Sequence, residues 1–241
     1  MKILKVISIM LLVILLVLLL FFSYLYFNGL SGIAQTSTPE PGQIKVACIG
    51  DSITYGHGIQ NWPKNNYPVL LQELLGDDYH VQSFGVSGRA VQDNSDQPYR
   101  ALPHYEESVA YDADIIVFMM GSNDTKPENW FGEEAFKTAL LDLLDDYTQG
   151  EKKPLIYVCT TPACFFTETS DGELTSHDLR PAYADTIAEL TRQTAEELSC
   201  PIIDIHTLTE ENPQWFAKDG VHPNNDGAAA IAKAIYEAIT K

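Results

Sequence analysis

Four short segments of this 241-residue chain carry the side chains that a proton-transfer reaction needs. Gly50-Asp51-Ser52 ends the apolar run Val46-Ala47-Cys48-Ile49, and glycines return at Gly56 and Gly58. A buried strand ending there in a tight turn presents a serine hydroxyl at its carboxyl end, where open α/β sheets hold ligands. Gly, Asp and Ser also make ordinary turns, so a nucleophilic serine needs a base elsewhere. Of six histidines, His222 stands out, because Asp219-Gly220-Val221-His222-Pro223 sets a carboxylate three residues before an imidazole. In one turn of irregular chain Asp219 accepts from Nδ1 of His222, which leaves Nε2 to face a hydroxyl. The plainer reading of this segment is a cap for the last helix. Asn123, after a third apolar run, offers an amide to an oxyanion or serves a turn. Gly85-Val86-Ser87-Gly88 offers a backbone N–H that no side chain shields. His57, in the same turn as Tyr55-Gly56, reads as a loop residue rather than a base.

These segments need elements to bring them together. Ile44–Ile49 is a continuous apolar run broken only by Lys45, which suits a parallel strand covered on both faces. Further strands are expected at Tyr79–Phe84, Asp114–Met120, Pro154–Thr160 and Pro201–Ile205. Between them, Asn65–Leu75 places Tyr67, Leu70, Leu71, Leu74 and Leu75 on one helical face, and Gly76 stops it. Residues 97–111 read as a weaker helix interrupted by Pro98 and Pro103. Gly132–Tyr147, Asp178–Ser199 and Asn224–Thr240 complete the helices, each with an apolar stripe. Strand and helix thus alternate five times, which implies a three-layer α/β/α sandwich around a parallel sheet with right-handed crossovers. Gly50, Gly85, Gly121 and Thr160 all follow strands and gather along one sheet edge. The connection 161–177, holding Phe165 and Phe166, is long for a compact domain and so is expected to have work to do.

In order and spacing, from about residue 44 to 240, the four segments resemble the SGNH or GDSL family of serine esterases and lipases. The family's serine in a Gly-Asp-Ser block matches Ser52, and its glycine matches Gly88. Its asparagine in Gly-x-Asn-Asp matches Asn123 within Gly121-Ser122-Asn123-Asp124. Its histidine in Asp-x-x-His matches His222 with Asp219. The second block departs slightly, with Ser83 where the family often has asparagine, so Gly85 stands beside Gly88 as a candidate donor and Gly88 is preferred.

The resemblance implies a flavodoxin-like five-stranded sheet, the SGNH hydrolase fold, with neither metal nor other cofactor. Ser52 would be the nucleophile, His222 the general base and Asp219 its orienting acid. The N–H groups of Ser52 and Gly88, with the Asn123 amide, would form the oxyanion hole. Asp51, Arg89, Asp124 and Trp130 are candidate substrate contacts, Asp51 also holding the turn. Met119–Trp130 looks like the variant found in carbohydrate O-acetylesterases, including the sialate type, and Trp130 and Trp62 would stack on sugar rings. The substrate expected is therefore a small-molecule or glycan ester, with acetyl the favoured acyl group. Phe165 and Phe166 would instead line an acyl groove in a lipolytic or thioesterase-like enzyme. The same residues would also suit an acyltransferase acting on a cell-surface polymer, or a binding protein that keeps the fold without activity.

Composition bounds the setting. Residues 6–27 carry no charge and are almost wholly apolar, and 22 residues of helix reach roughly 33 Å, enough to cross a bilayer. Lys2 and Lys5 precede the run, which would keep the N-terminus in the cytoplasm, with Tyr24, Tyr26 and Phe27 at the outer interface. The run is longer than a usual cleaved signal, although Gly32-Ile33-Ala34 offers a cleavage site. Either reading sends the remainder out of the cytoplasm. The expected division is an anchor or signal segment at 1–30, a linker at 31–43 and a hydrolase domain at 44–241. Two of the 15 basic residues precede Glu40 while all 33 acidic ones lie from Glu40 on, leaving 13 against 33, or −20, in residues 40–241. That charge excludes nucleic acid as a partner. Cys48 and Cys159 sit in strand-like runs, and no Cys-x-x-Cys spacing suggests zinc or redox chemistry. Disulfide pairing and oligomeric state are left open.

Overall fold

The computed structural model describes residues 2–28 and 37–241, with side chains described for residues 10–23 and from 37 on. Five strands form one parallel sheet: β1 Ile44–Gly50, β2 Tyr79–Gly85, β3 Ile115–Met119, β4 Leu155–Cys159 and β5 Ile202–Ile203. Their order is β2-β1-β3-β4-β5. This is the flavodoxin-like order, which places ligands at the carboxyl ends of β1 and β3, where the chain reverses its progress across the sheet.

Helix α1, Lys2–Asn28, precedes the sheet. Between β1 and β2 lie α2 Ser52–Tyr55, α3 Trp62–Asn65 and α4 Tyr67–Leu75, and α5 Pro103–Ala110 leads into β3. Helix α6, Glu133–Asp146, joins β3 to β4, and α7, Pro181–Glu197, joins β4 to β5. The chain closes with α8 Ile205–Glu210 and α9 Asn225–Ile239.

Side chains alternate across β1. Val46 and Cys48 pack with Tyr67 and Leu71 of α4 and with Ile231 and Ile235 of α9. Ala47 and Ile49 point the other way, into a core with Phe136 and Leu140 of α6 and Ile187 of α7. All four strand residues are fully buried, so β1 reads as an unbroken apolar run rather than an alternating one. The expected three-layer sandwich is therefore present.

Several boundaries differ from the sequence expectation, and three have a clear local cause. The helix over 97–111 is a 3-10 turn, Tyr99–Ala101, followed by α5, because Pro103 cannot continue a hydrogen-bonded helix and starts a new one instead. The strand expected over Pro201–Ile205 stops at Ile203, because the Asp204 side chain accepts the Thr207 N–H and caps α8. The helix expected from Asp178 begins at Pro181, its first-turn proline.

All four cysteines are free thiols, and Cys48 and Cys159 are buried in their strands. Burial pushes the Cys48 thiol up to about 12, so it stays protonated and behaves as a small hydrophobe. The side chains of residues 10–23 on α1 are all exposed. Among the described residues no helix is long and apolar enough to cross a membrane. The anchor expected over 6–27 lies partly outside the residues whose side chains are described, as do Tyr24, Tyr26 and Phe27. The cleavage site at 32–34 lies wholly outside the described residues, and so does 31–36 of the linker.

Candidate active site

Strand β1 ends at Gly50, and α2 begins two residues later at Ser52. Asp51 caps this short turn, its Oδ1 accepting the Ile53 N–H at 2.9 Å. The turn lies hard against the strand ends: a Cβ on Gly50 would stand 2.7 Å from the Met119 carbonyl oxygen and run into the Thr54 side chain. Glycine at that position is what lets the turn close over β1 and lift Ser52 to the sheet edge.

His222 reaches the same point from the segment before α9. Ser52 Oγ donates to His222 Nε2 at 2.9 Å, and His222 Nδ1 donates to Asp219 Oδ2 at 2.8 Å. An ionised carboxylate only accepts, so the proton sits on Nδ1 and Nε2 is the ring's acceptor. The other carboxylate oxygen, Oδ1, accepts the backbone N–H groups of Val221 at 2.9 Å and His222 at 3.0 Å. A further imidazole, His177, donates from Nε2 to Asp219 Oδ2 at 3.2 Å. Burial alone would push the Asp219 carboxyl up, but the bonds from His177 and His222 outweigh it and hold the group far below the ordinary aspartate range. Asp219 is thus a fixed negative charge behind His222. In the other direction, burial together with the neighbouring His222 and His177 holds the His57 imidazole below its ordinary value.

The opposite wall rises from the ends of β2 and β3. The N–H of Ser52 opens α2, and Gly88 lines the cleft three residues beyond β2. Neither amide has an acceptor among the described residues. Asn123 sits in a 3-10 turn after β3, 6 % exposed, with its Nδ2 donating to the Arg89 carbonyl oxygen at 3.1 Å and to Asp51 Oδ2 at 3.3 Å. Asp124, with no exposed surface, accepts from the Val91 N–H at 2.9 Å and the Gln92 N–H at 3.0 Å, tying the 90–92 loop to this turn. Burial pushes Asp124 up to about 7 and Asp51 up to about 6, against the pull of their hydrogen bonds.

The structure therefore gathers Ser52, His222, Gly88 and Asn123 around one cleft of about 130 Å³, with Asp219 bonded behind His222. It does not bring the expected substrate contacts to it. Asp51 and Asp124 are buried and spent on capping and loop bonds. Arg89 and Trp130 do not line the cleft: Arg89 contributes its carbonyl oxygen to Asn123, and the partly buried Trp130 packs on Tyr183, ring centroids 4.9 Å apart. Trp62 is 6 % exposed, its Nε1–H given to the Tyr55 carbonyl. Phe165 packs edge-on against Phe216 rather than opening a groove. The cleft is instead completed by Val221, Leu179, Lys126 and two histidines to which the sequence assigns no role, His57 and His177. Their rings lie 4.5 Å and 4.9 Å from that of His222. The scarcity of histidine and the unexplained length of the 161–177 connection are the only signals for His177.

The chain is similar to known proteins over most of its length. A family model described as the GDSL-like Lipase/Acylhydrolase family matches residues 48–230. An acetylxylan esterase of Xylanibacter ruminicola is 34% identical over 218 residues, which is 83% of this chain but 44% of that protein. The chain thus spans less than half the length of this relative. The thioesterase 1/protease 1/lysophospholipase L1 of Escherichia coli K12 is 23% identical, with 76% of this chain and 77% of that protein covered. Among solved structures, a carbohydrate acetylesterase family member from Sinorhizobium meliloti superposes with a TM-score of 0.67 at 24% identity, covering 82% of this chain and 97% of that one.

Proposed function

The chain belongs to the GDSL-like lipase/acylhydrolase family, and from that premise we propose that it is a serine hydrolase of carboxylic esters, acting on short acyl groups carried by carbohydrate. The observation that carries the proposal is the hydrogen-bonded line from Ser52 Oγ through His222 to Asp219, at 2.9 and 2.8 Å, opening on one cleft. His222 Nε2 takes the Ser52 proton as Oγ attacks the ester carbonyl. Asp219 keeps the ring in the required tautomer and offsets the imidazolium charge that forms. The developing oxyanion draws on the Ser52 and Gly88 N–H groups and on Asn123 Nδ2, whose bond to Asp51 Oδ2 is long at 3.3 Å and easily exchanged. His222 then protonates the leaving alcohol, and water repeats the sequence on the acyl-enzyme with the roles reversed.

A cleft this small, walled by Val221 and Leu179, favours an acetyl-sized acyl group. The acetylxylan esterase likeness supports the same choice and supports carbohydrate as the alcohol. Residues 44–241 form the hydrolase domain behind the 31–43 linker, and its place outside the cytoplasm is read from the uncharged, apolar sequence of residues 6–27, as an anchor or signal, rather than from a membrane-spanning helix among the described residues.

The test is hydrolysis by the purified full chain of p-nitrophenyl acetate, p-nitrophenyl decanoate and acetylated xylan. Turnover of the acetyl esters with acetate released from xylan is expected. Preference for the decanoate would replace this substrate class by a lipolytic or thioesterase-like one. Acetyl transfer to added sugar exceeding release to water would make the chain an acyltransferase.

A further inference from the structure

We propose that His177 is a positioning residue for the acid–base pair, a second imidazole that locks the Asp219 carboxylate in line with His222. The proposal rests on the serine-hydrolase reading and names a part that reading leaves without a role. Asp219 has few ways left to move. Its Oδ1 is taken by two backbone N–H groups of its own turn, from Val221 and His222. One side of Oδ2 is taken by His222 Nδ1. The Asp219 side chain keeps 21 % of its surface exposed with His177 in place, and the remaining side of Oδ2 is left for a donor from outside the turn. His177 Nε2 fills it at 3.2 Å, with its ring set at 88° to that of His222. With four donors on two oxygens, the carboxylate has no acceptor site left by which to rotate toward solvent.

His177 is itself placed by a built segment. Leu179 N donates to Thr175 Oγ1, Thr175 N to the Leu179 carbonyl and Asp178 N to the Thr175 carbonyl, closing residues 175–179 on themselves, with Thr175 and Leu179 buried. The same long connection meets the acid–base turn a second time, where Phe165 N donates to the Gly220 carbonyl at 2.8 Å. Gly220 has φ +71°, and a Cβ there would press on the Phe165 carbonyl and stand 2.8 Å from Thr167 Cγ2. The 161–180 connection is thus seated on the 217–222 turn by a backbone contact and a side-chain contact, and His177 is the side-chain one. Asp219, His222, His57 and Lys126 are the titratable groups around it in the cleft.

The experiment compares His177→Ala and His177→Gln in the full chain. Glutamine keeps an N–H donor at nearly the same reach and removes the imidazole. Alanine is expected to lower kcat roughly 10–100-fold on p-nitrophenyl acetate, the scale of a lost hydrogen bond to a charged group, with KM within about twofold and glutamine restoring most of the loss. An activity-independent readout accompanies it: the downfield proton resonance of His222 Nδ1–H is sharp in the parent and in His177→Gln, and exchange-broadened in His177→Ala. Equal kcat in His177→Ala and the parent overturns the proposal, as does His177→Gln falling as far as His177→Ala. So does a sharp Nδ1–H resonance in a folded His177→Ala, whether or not any ester is hydrolysed. Absence of esterase activity in the parent would instead count against the serine-hydrolase reading, and the resonance would still decide the role of His177.

Discussion

The two walls of the cleft are made of different material. The donor wall, with Ser52, Gly88 and Asn123, follows the carboxyl ends of β1, β2 and β3, whose last residues are buried. The base wall is a short turn, 217–222, and the long connection that leans on it through Phe165 and His177. Their carboxylates differ accordingly. Asp51 and Asp124 lie in the donor wall without solvent, and burial pushes both up, to about 6 and about 7. Asp219 lies in the base wall, and two imidazoles and two backbone amides hold it far down despite its burial. Rigidity on one wall comes from the sheet and is accompanied by acids that burial pushes toward the neutral form. On the other it comes from hydrogen bonds to an acid that must stay charged.

Breaking the base wall should cost most. In Asp219→Asn the amide oxygen still accepts from the Val221 and His222 N–H groups, which turns its NH2 toward His222 Nδ1. The imidazole must then accept there and carry its proton on Nε2, where it cannot act as a base. A fall in kcat of about 10⁴ is expected, measured under saturating ester with the fold checked by circular dichroism. A loss below about tenfold would mean that the carboxylate is a cap and no more.

The donor wall should tolerate more. Asn123→Ala removes one of three proposed oxyanion donors, and kcat should fall about 10²–10³ with KM little changed. An equal rise in KM with constant kcat would instead make Asn123 a ground-state binding group.

The smallest effect separates the walls by stability rather than by rate. The folded-state pKa of Asp124 is raised from the ordinary 3.8 to about 7. Between those values the folded chain keeps a proton that the unfolded chain has lost, so this group's contribution to stability declines as pH rises from about 4 to 7. Its full span is on the order of 4 kcal/mol, and Asp51 adds a decline of the same sign up to about pH 6. The melting temperature should be higher at pH 5 than at pH 7.5. In Asp124→Asn it should be lower throughout, because an amide nitrogen now faces a backbone N–H, but its slope with pH should be flatter. An unchanged slope would show that Asp124 is ionised in the folded chain at pH 5. Asp219, shifted the opposite way, contributes stability that is lost only as the pH falls below the ordinary aspartate value.

Legibility in the sequence follows the same division. The centre of the sheet is readable because β1, β3 and β4 are buried on both sides, so composition alone marks them, whereas the edge strand β2 alternates buried and half-buried residues. The Asp219–His222 pair is readable because a three-residue spacing encodes its own hydrogen bond. Asn123 can be placed at the end of β3, but its bonds to Asp51 and the Arg89 carbonyl depend on how three loops meet. Trp62 and Trp130 pass for sugar platforms in sequence because an aromatic in a loop carries no mark of which way it packs. His177 stays hidden for a related reason: it meets Asp219 across 42 residues of chain, and nothing local announces the contact.

The central claim is that Ser52 receives the acyl group. Rapid acid quench of the full chain during turnover of p-nitrophenyl acetate, followed by peptide mass analysis, tests it directly. One acetyl group on the peptide bearing Ser52 is predicted, absent in Ser52→Ala together with all but a trace of the activity. An acetyl group found on another residue, or a Ser52→Ala chain that still turns over ester at the parent rate, would contradict it.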